Sequence, residues 1–217
     1  MYQGVMFDMD QTLVASNLNF AEMRAGCFRI LKEAKIHVPA AYGEAPPPAS
    51  LIELARSYEI NEGFSGLVEK MFSWVARCEA EGMKEAVAEP GALETVSALK
   101  GKVPMTVVTN NASASARKAL DTTQLAPYID FVIGRDDMNA LKPAASGIEA
   151  VLEAYPHIEP SAWVMVGDSW IDGKAANEAG VPFVSYCASD LETNGVETAH
   201  TIDHLTELIQ MTARKEV

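Results

Sequence analysis

Two aspartates, Asp8 and Asp10, stand two residues apart directly after the apolar run Val5-Met6-Phe7. Side chains at i and i+2 near a strand end project to one side. Two carboxylates placed together in a partly dry site are driven to different proton affinities. One then stays ionised as a nucleophile while its neighbour carries a proton, which makes an acid–base pair. Three further strings have the same setting: Thr109-Asn110 after Val107-Val108, Lys142-Pro143 in the loop after the apolar run at 129–133, and Gly167-Asp168-Ser169-Trp170-Ile171-Asp172 after Val164-Met165-Val166. A hydroxyl, an ammonium and more carboxylates suit a reaction in which negative charge develops and must be countered. Each alone is an ordinary loop residue, because Asp and Thr are common in turns. Gathered at one edge, they make a site.

The elements that would gather them are legible as short runs rich in Val, Ile and Phe. They predict buried strands at about 5–7, 104–108, 129–133, 162–166 and 182–186. Helices are expected between them. The spacing of Ile148, Val151, Leu152 and Tyr155 predicts a helix over about 144–155, alanine-rich stretches predict others at 91–100, 113–120 and 172–179, and Leu205, Leu208 and Ile209 repeat the helical spacing in the tail. Strands alternating with helices mean a parallel sheet covered on both faces, an α/β doubly wound parallel sheet. In such a sheet the strand carboxyl ends share one edge and ligands bind in the crevice there, so the four strings converge.

About 95 residues separate the first strand from the second, far more than one crossover needs, and their periodicity is helical. The reading is a catalytic core of residues 1–14 and 90–217 interrupted by an all-α helical-bundle domain at 15–89. Phe20, Met23, Cys27, Ile30 and Ala34 form one apolar stripe, and Phe64, Leu67, Val68, Met71, Phe72, Val75 and Cys78 a second. Pro46-Pro47-Pro48 reads as a loop between bundle helices, and both Cys27 and Cys78 as bundle core.

In order, Asp8-Met9-Asp10-Gln11-Thr12-Leu13, Val107-Val108-Thr109-Asn110, Lys142-Pro143 and Gly167 through Asp172 resemble the four motifs of the haloacid dehalogenase superfamily, specifically its phosphatases and their phosphoglycolate phosphatase branch. The resemblance spans residues 5–180, and the helical insertion lies where one cap type of that superfamily enters. It implies a phosphomonoesterase that works through an aspartyl-phosphate, with Asp8 as nucleophile and Asp10 as the acid and base. Phosphate-ester hydrolysis has a very large uncatalysed barrier, so preorganised positive charge is required. Magnesium suits oxygen ligands: Asp8, Asp168, a substrate oxygen and, by resemblance, the backbone carbonyl of Asp10. Lys142, the Thr109 hydroxyl and the amides around Asn110 would serve the phosphoryl oxygens. By resemblance Asp172 orients Lys142 or a ligand of the metal. Arg24, near the hinge leading out of the first motif, is a candidate for an anionic substrate tail. A small lid closing over the crevice favours small soluble phosphate esters over phosphoproteins.

Two positions depart from the family pattern. Gln11 stands where glycine is usual, and the large Trp170 lies inside the last motif, where packing is its expected role. Rival readings with the same motifs are a sugar-phosphate mutase or other phosphotransferase and a pyrophosphatase. A rival of another class is a non-catalytic phosphate-binding protein.

Other signals fall away. His200 and His204 are spaced i, i+4 but lack a third ligand; the string from Gly167 to Lys174 lacks the spacing of a phosphate loop; no G-x-S-x-G elbow or C-x-x-C pair exists. Seventeen basic against thirty acidic side chains give a net charge of −13, of which residues 15–89 carry only −3. Nucleic acid is thereby disfavoured as a partner. Without a basic start, a run of eighteen apolar residues or a disulfide-like cysteine pattern, the sequence predicts a cytoplasmic protein with no membrane association. It does not indicate an oligomeric state.

Overall fold

The structure is a computed structural model that describes residues 1–188 and 190–212. The chain divides into two compact units, Met1–Ser16 together with the chain from Ala86 onward, and Asn17–Glu85. In the first, β1 (Gly4–Phe7) is followed by β2 (Val14–Ala15), and after the insertion come β3 (Val87–Ala88), α4 (Ala92–Leu99) and β4 (Met105–Val108). The chain continues through α5 (Ser113–Thr122), β5 (Phe131–Ile133), α6 (Ser146–Ala154), β6 (Trp163–Gly167), α7 (Trp170–Glu178), β7 (Phe183–Tyr186), β8 (His200–Ile202) and α8 (Leu208–Met211). The insertion holds α1 (Phe20–Glu33), α2 (Pro48–Glu62) and α3 (Leu67–Gly82).

Among the described residues six strands form one parallel sheet in the order β5-β4-β1-β6-β7-β8. From β1 the chain steps outward through β4 to β5, then crosses back to β6 on the other side. The direction of winding therefore reverses at β1, and a crevice opens beyond its carboxyl end. Register places Phe7 opposite both Val107 and Val166, so the residues after β1, β4 and β6 emerge side by side. Strand alternation sends Met6, Val108 and Met165 into a layer with Ile148 and Val151 of α6 and Ala175 and Ala176 of α7. Small residues on α7 let it lie close on the sheet.

β2 and β3 pair antiparallel as a two-stranded ribbon, Val14 opposite Ala88 and Ala15 opposite Val87. The insertion leaves from one strand of this ribbon and returns to the other. The pairing explains why the helical unit is shorter than 15–89: Ala15, Ser16 and residues 86–89 are held in the core unit by hydrogen bonding that two-residue strands do not advertise in sequence.

The helical unit has three helices where the sequence showed two stripes. Pro48, expected in a loop, opens α2, at the first helical position where a missing N–H costs nothing. The first-turn amides of α3 at Leu67 and Val68 donate to Glu59 Oε1 at 2.6 and 3.2 Å, so α2 caps α3. With two neighbours to meet, α1 buries Met23, Gly26, Cys27 and Leu31, while Phe20 at the edge of the expected stripe is 47% exposed. Gly26 is required: a Cβ there would lie 1.9 Å from Trp74 Nε1, whose N–H donates to the Glu22 carbonyl at 3.3 Å. Cys78, expected in the core, is half-buried and lines a cleft of about 520 Å³ with Asn17, Trp74, Arg77 and Gly82. Among the described residues no helix is long and apolar enough to cross a membrane.

Candidate active site

Asp8 is the first residue past β1, and its N–H donates to the Val166 carbonyl at 2.8 Å, so the sheet itself fixes its backbone. Its side chain meets Lys142, whose Nζ donates to Asp8 Oδ1 at 2.6 Å, to Asp172 Oδ1 at 2.6 Å and to the Val108 carbonyl at 2.7 Å. An ammonium has three hydrogens, and each finds an acceptor. Lys142 is 1% exposed. Burial by itself would push its pKa down; Asp172 and Asp8 outweigh burial, and the lysine is held above its ordinary value.

The loop that delivers Lys142 is fixed from the neighbouring motif. Asn110 Nδ2 donates to the Lys142 carbonyl at 3.0 Å, and Asn110 Oδ1 accepts from the Lys142 N–H at 2.9 Å. The side chain of Asn110 is thus committed to the lysine's backbone, and only its main chain remains for a ligand. Arg135, 3% exposed, braces the same turn: its Nη1 donates to the Asn110 carbonyl at 3.0 Å and its backbone N–H to the Asn111 carbonyl at 2.8 Å. Thr109, also buried, is tied to β5 through its N–H on the Ile133 carbonyl, and its Oγ1 accepts the Asn111 N–H at 3.2 Å.

Asp172 lies in the first turn of α7, a position where a carboxylate meets unpaired amides. Its Oδ2 accepts the Ser169 N–H at 3.2 Å while Oδ1 holds Lys142. Gly167 makes this possible, because a Cβ there would come within 2.6 Å of Asp172. Burial first, and then the charge of Asp8, push Asp172 above the ordinary carboxylate range. Asp168 is driven the same way, to about 8, by burial and by the charges of Asp8 and Asp172.

Asp8, Asp168 and Asp172 present oxygens that all lie within 4.8 Å of one another. Three carboxyl groups share one ammonium in a secluded place, and a divalent cation would let all three be ionised together. The donors are hard oxygens, as magnesium requires, so the residues fit that ion. Both oxygens of Asp172 already accept hydrogen bonds, so Asp8 and Asp168 are the better candidates to hold it. Thr12 Oγ1 stands 3.5 Å from Asp168 Oδ1, at the long limit of a hydrogen bond.

Asp10 has different partners. Its Oδ1 accepts from Ser16 Oγ at 2.8 Å, and its Oδ2 makes a short hydrogen bond with Asn111 Nδ2. Gln11 takes the left-handed conformation with φ of 58°, the geometry glycine adopts without cost, and its amide donates to the Ser16 carbonyl at 3.2 Å. Trp170 is half-buried at the start of α7. Arg24 belongs to the helical unit, where its Nη1 donates to the Ala45 carbonyl at 3.3 Å. Ser16, Asn111 and Arg135 carry no mark in the sequence; Asn111 adjoins a recognised motif, but an asparagine beside another in a turn has no signal of its own.

The model of the haloacid dehalogenase-like hydrolases matches residues 5–186, from β1 to the end of β7. The chain belongs to this family. Haloacid dehalogenase-like relatives include a phosphoglycolate phosphatase of Caulobacter vibrioides, 34% identical over 118 residues that cover 52% of this chain and 49% of that protein. The match therefore spans about half the length of that relative. A validoxylamine A 7'-phosphate phosphatase of Streptomyces hygroscopicus subsp. limoneus is 28% identical over 95% of this chain and 91% of its own. Among solved structures, a haloacid dehalogenase-like hydrolase from Bacteroides fragilis shares the fold with a TM-score of 0.67 at 19% identity, over 96% of this chain and 100% of that one.

Proposed function

We propose that this haloacid dehalogenase-like chain is a magnesium-dependent phosphomonoesterase that hydrolyses a small phosphorylated metabolite through an aspartyl-phosphate on Asp8. The observation that supports it best is the buried Lys142 ammonium bonded to Asp8 and Asp172 at 2.6 Å each, with Asp168 beside them. A carboxylate anchored by a fixed cation at the tip of β1 is oriented to attack, and Asp8 and Asp168 would hold an ion whose charge offsets that of an anionic substrate. An oxygen of Asp8 bonds to phosphorus as the bond to the ester oxygen breaks. The electron pair of that bond goes to the ester oxygen, which takes the proton of Asp10 and leaves as an alcohol. Water then gives a proton to Asp10 and attacks phosphorus. The bond to Asp8 breaks with its electron pair returning to the carboxylate, and inorganic phosphate departs.

Magnesium, held by Asp8, Asp168 and the Asp10 backbone carbonyl, would supply positive charge to the phosphoryl oxygens. Thr109 donates its hydroxyl hydrogen, and the Asn110 main-chain N–H a second hydrogen bond, to those oxygens. Lys142 acts on them as a point charge, since its hydrogens are taken. Asp172 keeps Lys142 in place. Arg24, whose Nη1 donates to the Ala45 carbonyl, is the side chain of the helical unit offered for an anionic substrate tail. The relatives' names make phosphoglycolate the first ester to try.

Phosphate release from a panel of phosphorylated metabolites, with magnesium and with a chelator, tests the reading. Turnover that needs magnesium and falls at least about 10³-fold in Asp8→Asn supports it. Equal turnover in the chelator or in the variant overturns it.

A further inference from the structure

We propose that Asn111 is a positioning residue that aims the carboxyl of Asp10 at the leaving oxygen; this rests on the phosphatase reading above. Asp10 lies two residues past Asp8, beyond β1, where its backbone bridges to Val14 across the turn at 11–13; that pairing holds the main chain and leaves the direction of the side chain open. Its aim must come from hydrogen bonds. Asn111 Nδ2 supplies one to Oδ2, across 101 positions of sequence, while Ser16 Oγ supplies another to Oδ1.

Asn111 is well built for holding a carboxyl still. It is 7% exposed, its N–H donates to Thr109 Oγ1, and its carbonyl accepts the backbone N–H of Arg135. The main chain of Asn111 is therefore pinned on both sides before its amide reaches Asp10. The neighbouring Asn110 turns its own amide the other way, onto the backbone of Lys142. Two adjacent asparagines thus divide the work, one setting the loop that carries the cation and the other setting the acid. A rigid donor matters because proton transfer in the transition state demands that the acid lie within hydrogen-bond reach of the departing oxygen.

Leaving-group dependence tests the proposal, since a poor leaving group needs the acid and a good one does not. Steady-state rates are measured for the intact chain with magnesium on p-nitrophenyl phosphate, whose leaving group is good. They are also measured on the alkyl ester turned over fastest among phosphoglycolate, glycerol 3-phosphate and glucose 6-phosphate. Asn111→Ala and the isosteric Asn111→Asp, which puts a carboxylate against Asp10, each lose at least about tenfold more kcat/KM on the alkyl than on the aryl ester, because kcat/KM ends at departure of the alcohol and leaves out the attack of water that both esters share. A general disturbance of the site would lower both esters alike, and that result overturns the proposal. Asp10→Asn is run beside them. If Asp10→Asn discriminates between the esters and neither Asn111 variant does, Asn111 has no positioning role and the phosphatase reading stands. If Asp10→Asn does not discriminate, the assignment of Asp10 fails and the proposal falls with it.

Discussion

The Nζ of Lys142 lies 2.6 Å from Asp8 Oδ1 although 134 positions separate the two residues. That contact joins the tip of β1 to the loop after β5, and Asp172 completes it from the first turn of α7. Charge in this cluster is interdependent: the lysine is tolerated in the interior because two carboxylates face it, and the carboxylates because the lysine does.

Lys142→Met removes the cation and leaves Asp8 and Asp172 buried without compensation. Breaking a buried pair from one side costs about 3–5 kcal/mol, so denaturant unfolding at neutral pH should show a loss of that order. Turnover should drop by at least about 10³-fold. Unfolding that matches the unsubstituted chain would show that the cluster is not a structural unit.

Asp168 and Asp172 both make stability without metal depend on pH, and Asp168 is the one whose proton magnesium would displace. Its folded pKa is raised to about 8, above the ordinary 3.8 of an unfolded chain. Between those values the folded state binds the proton more tightly, so the contribution is fully present at low pH and is lost as pH rises toward about 8. Saturating magnesium competes with that proton and favours the ionised form. Thermal unfolding with a chelator and with magnesium should therefore show a gain in Tm from the metal that is larger at pH 8 than at pH 5.5. An equal gain at both values would contradict the assignment of Asp168 to the ion.

Much of this site is legible in the sequence because its residues sit at the carboxyl ends of strands. Asp8, Thr109 and Asp168 each stand just past a short apolar run, and a parallel sheet brings such positions to one edge whatever the loops do. Lys142 is placed by its motif. The unforeseen parts are those set by three-dimensional neighbours. The side chain of Asn110 holds the Lys142 main chain, Asn111 and Ser16 reach Asp10, and β2 and β3 are too short to show alternation. In the helical unit, Pro48 marks a helix start that resembles a loop, and α1 turns Gly26 inward because Trp74 requires the space.

Gly26→Ala tests that packing. A methyl group would overlap the Trp74 indole, and overpacking of this kind costs about 1–3 kcal/mol. The helical unit should lose stability in chemical denaturation followed by tryptophan fluorescence, and hydrogen exchange should rise in α1 and α3. Unchanged exchange there would mean that Trp74 moves aside freely.

Gly167→Ala separates the anchor from the nucleophile. The new methyl would displace Asp172, which should loosen its hold on Lys142 and lower kcat by about 10²-fold or more, while Asp8 itself stays untouched. Retention of the full rate would remove Asp172 from the account.

Covalent capture at Asp8 decides whether the phosphoryl group passes through this carboxylate. The chain is mixed with magnesium and a substrate ester, quenched in acid within milliseconds and digested, and the peptide that carries Asp8 is weighed. One phosphoryl group is expected on Asp8 and none in Asp8→Asn. A quenched protein that turns over substrate yet carries no phosphoryl group, or carries it on another residue, would contradict it.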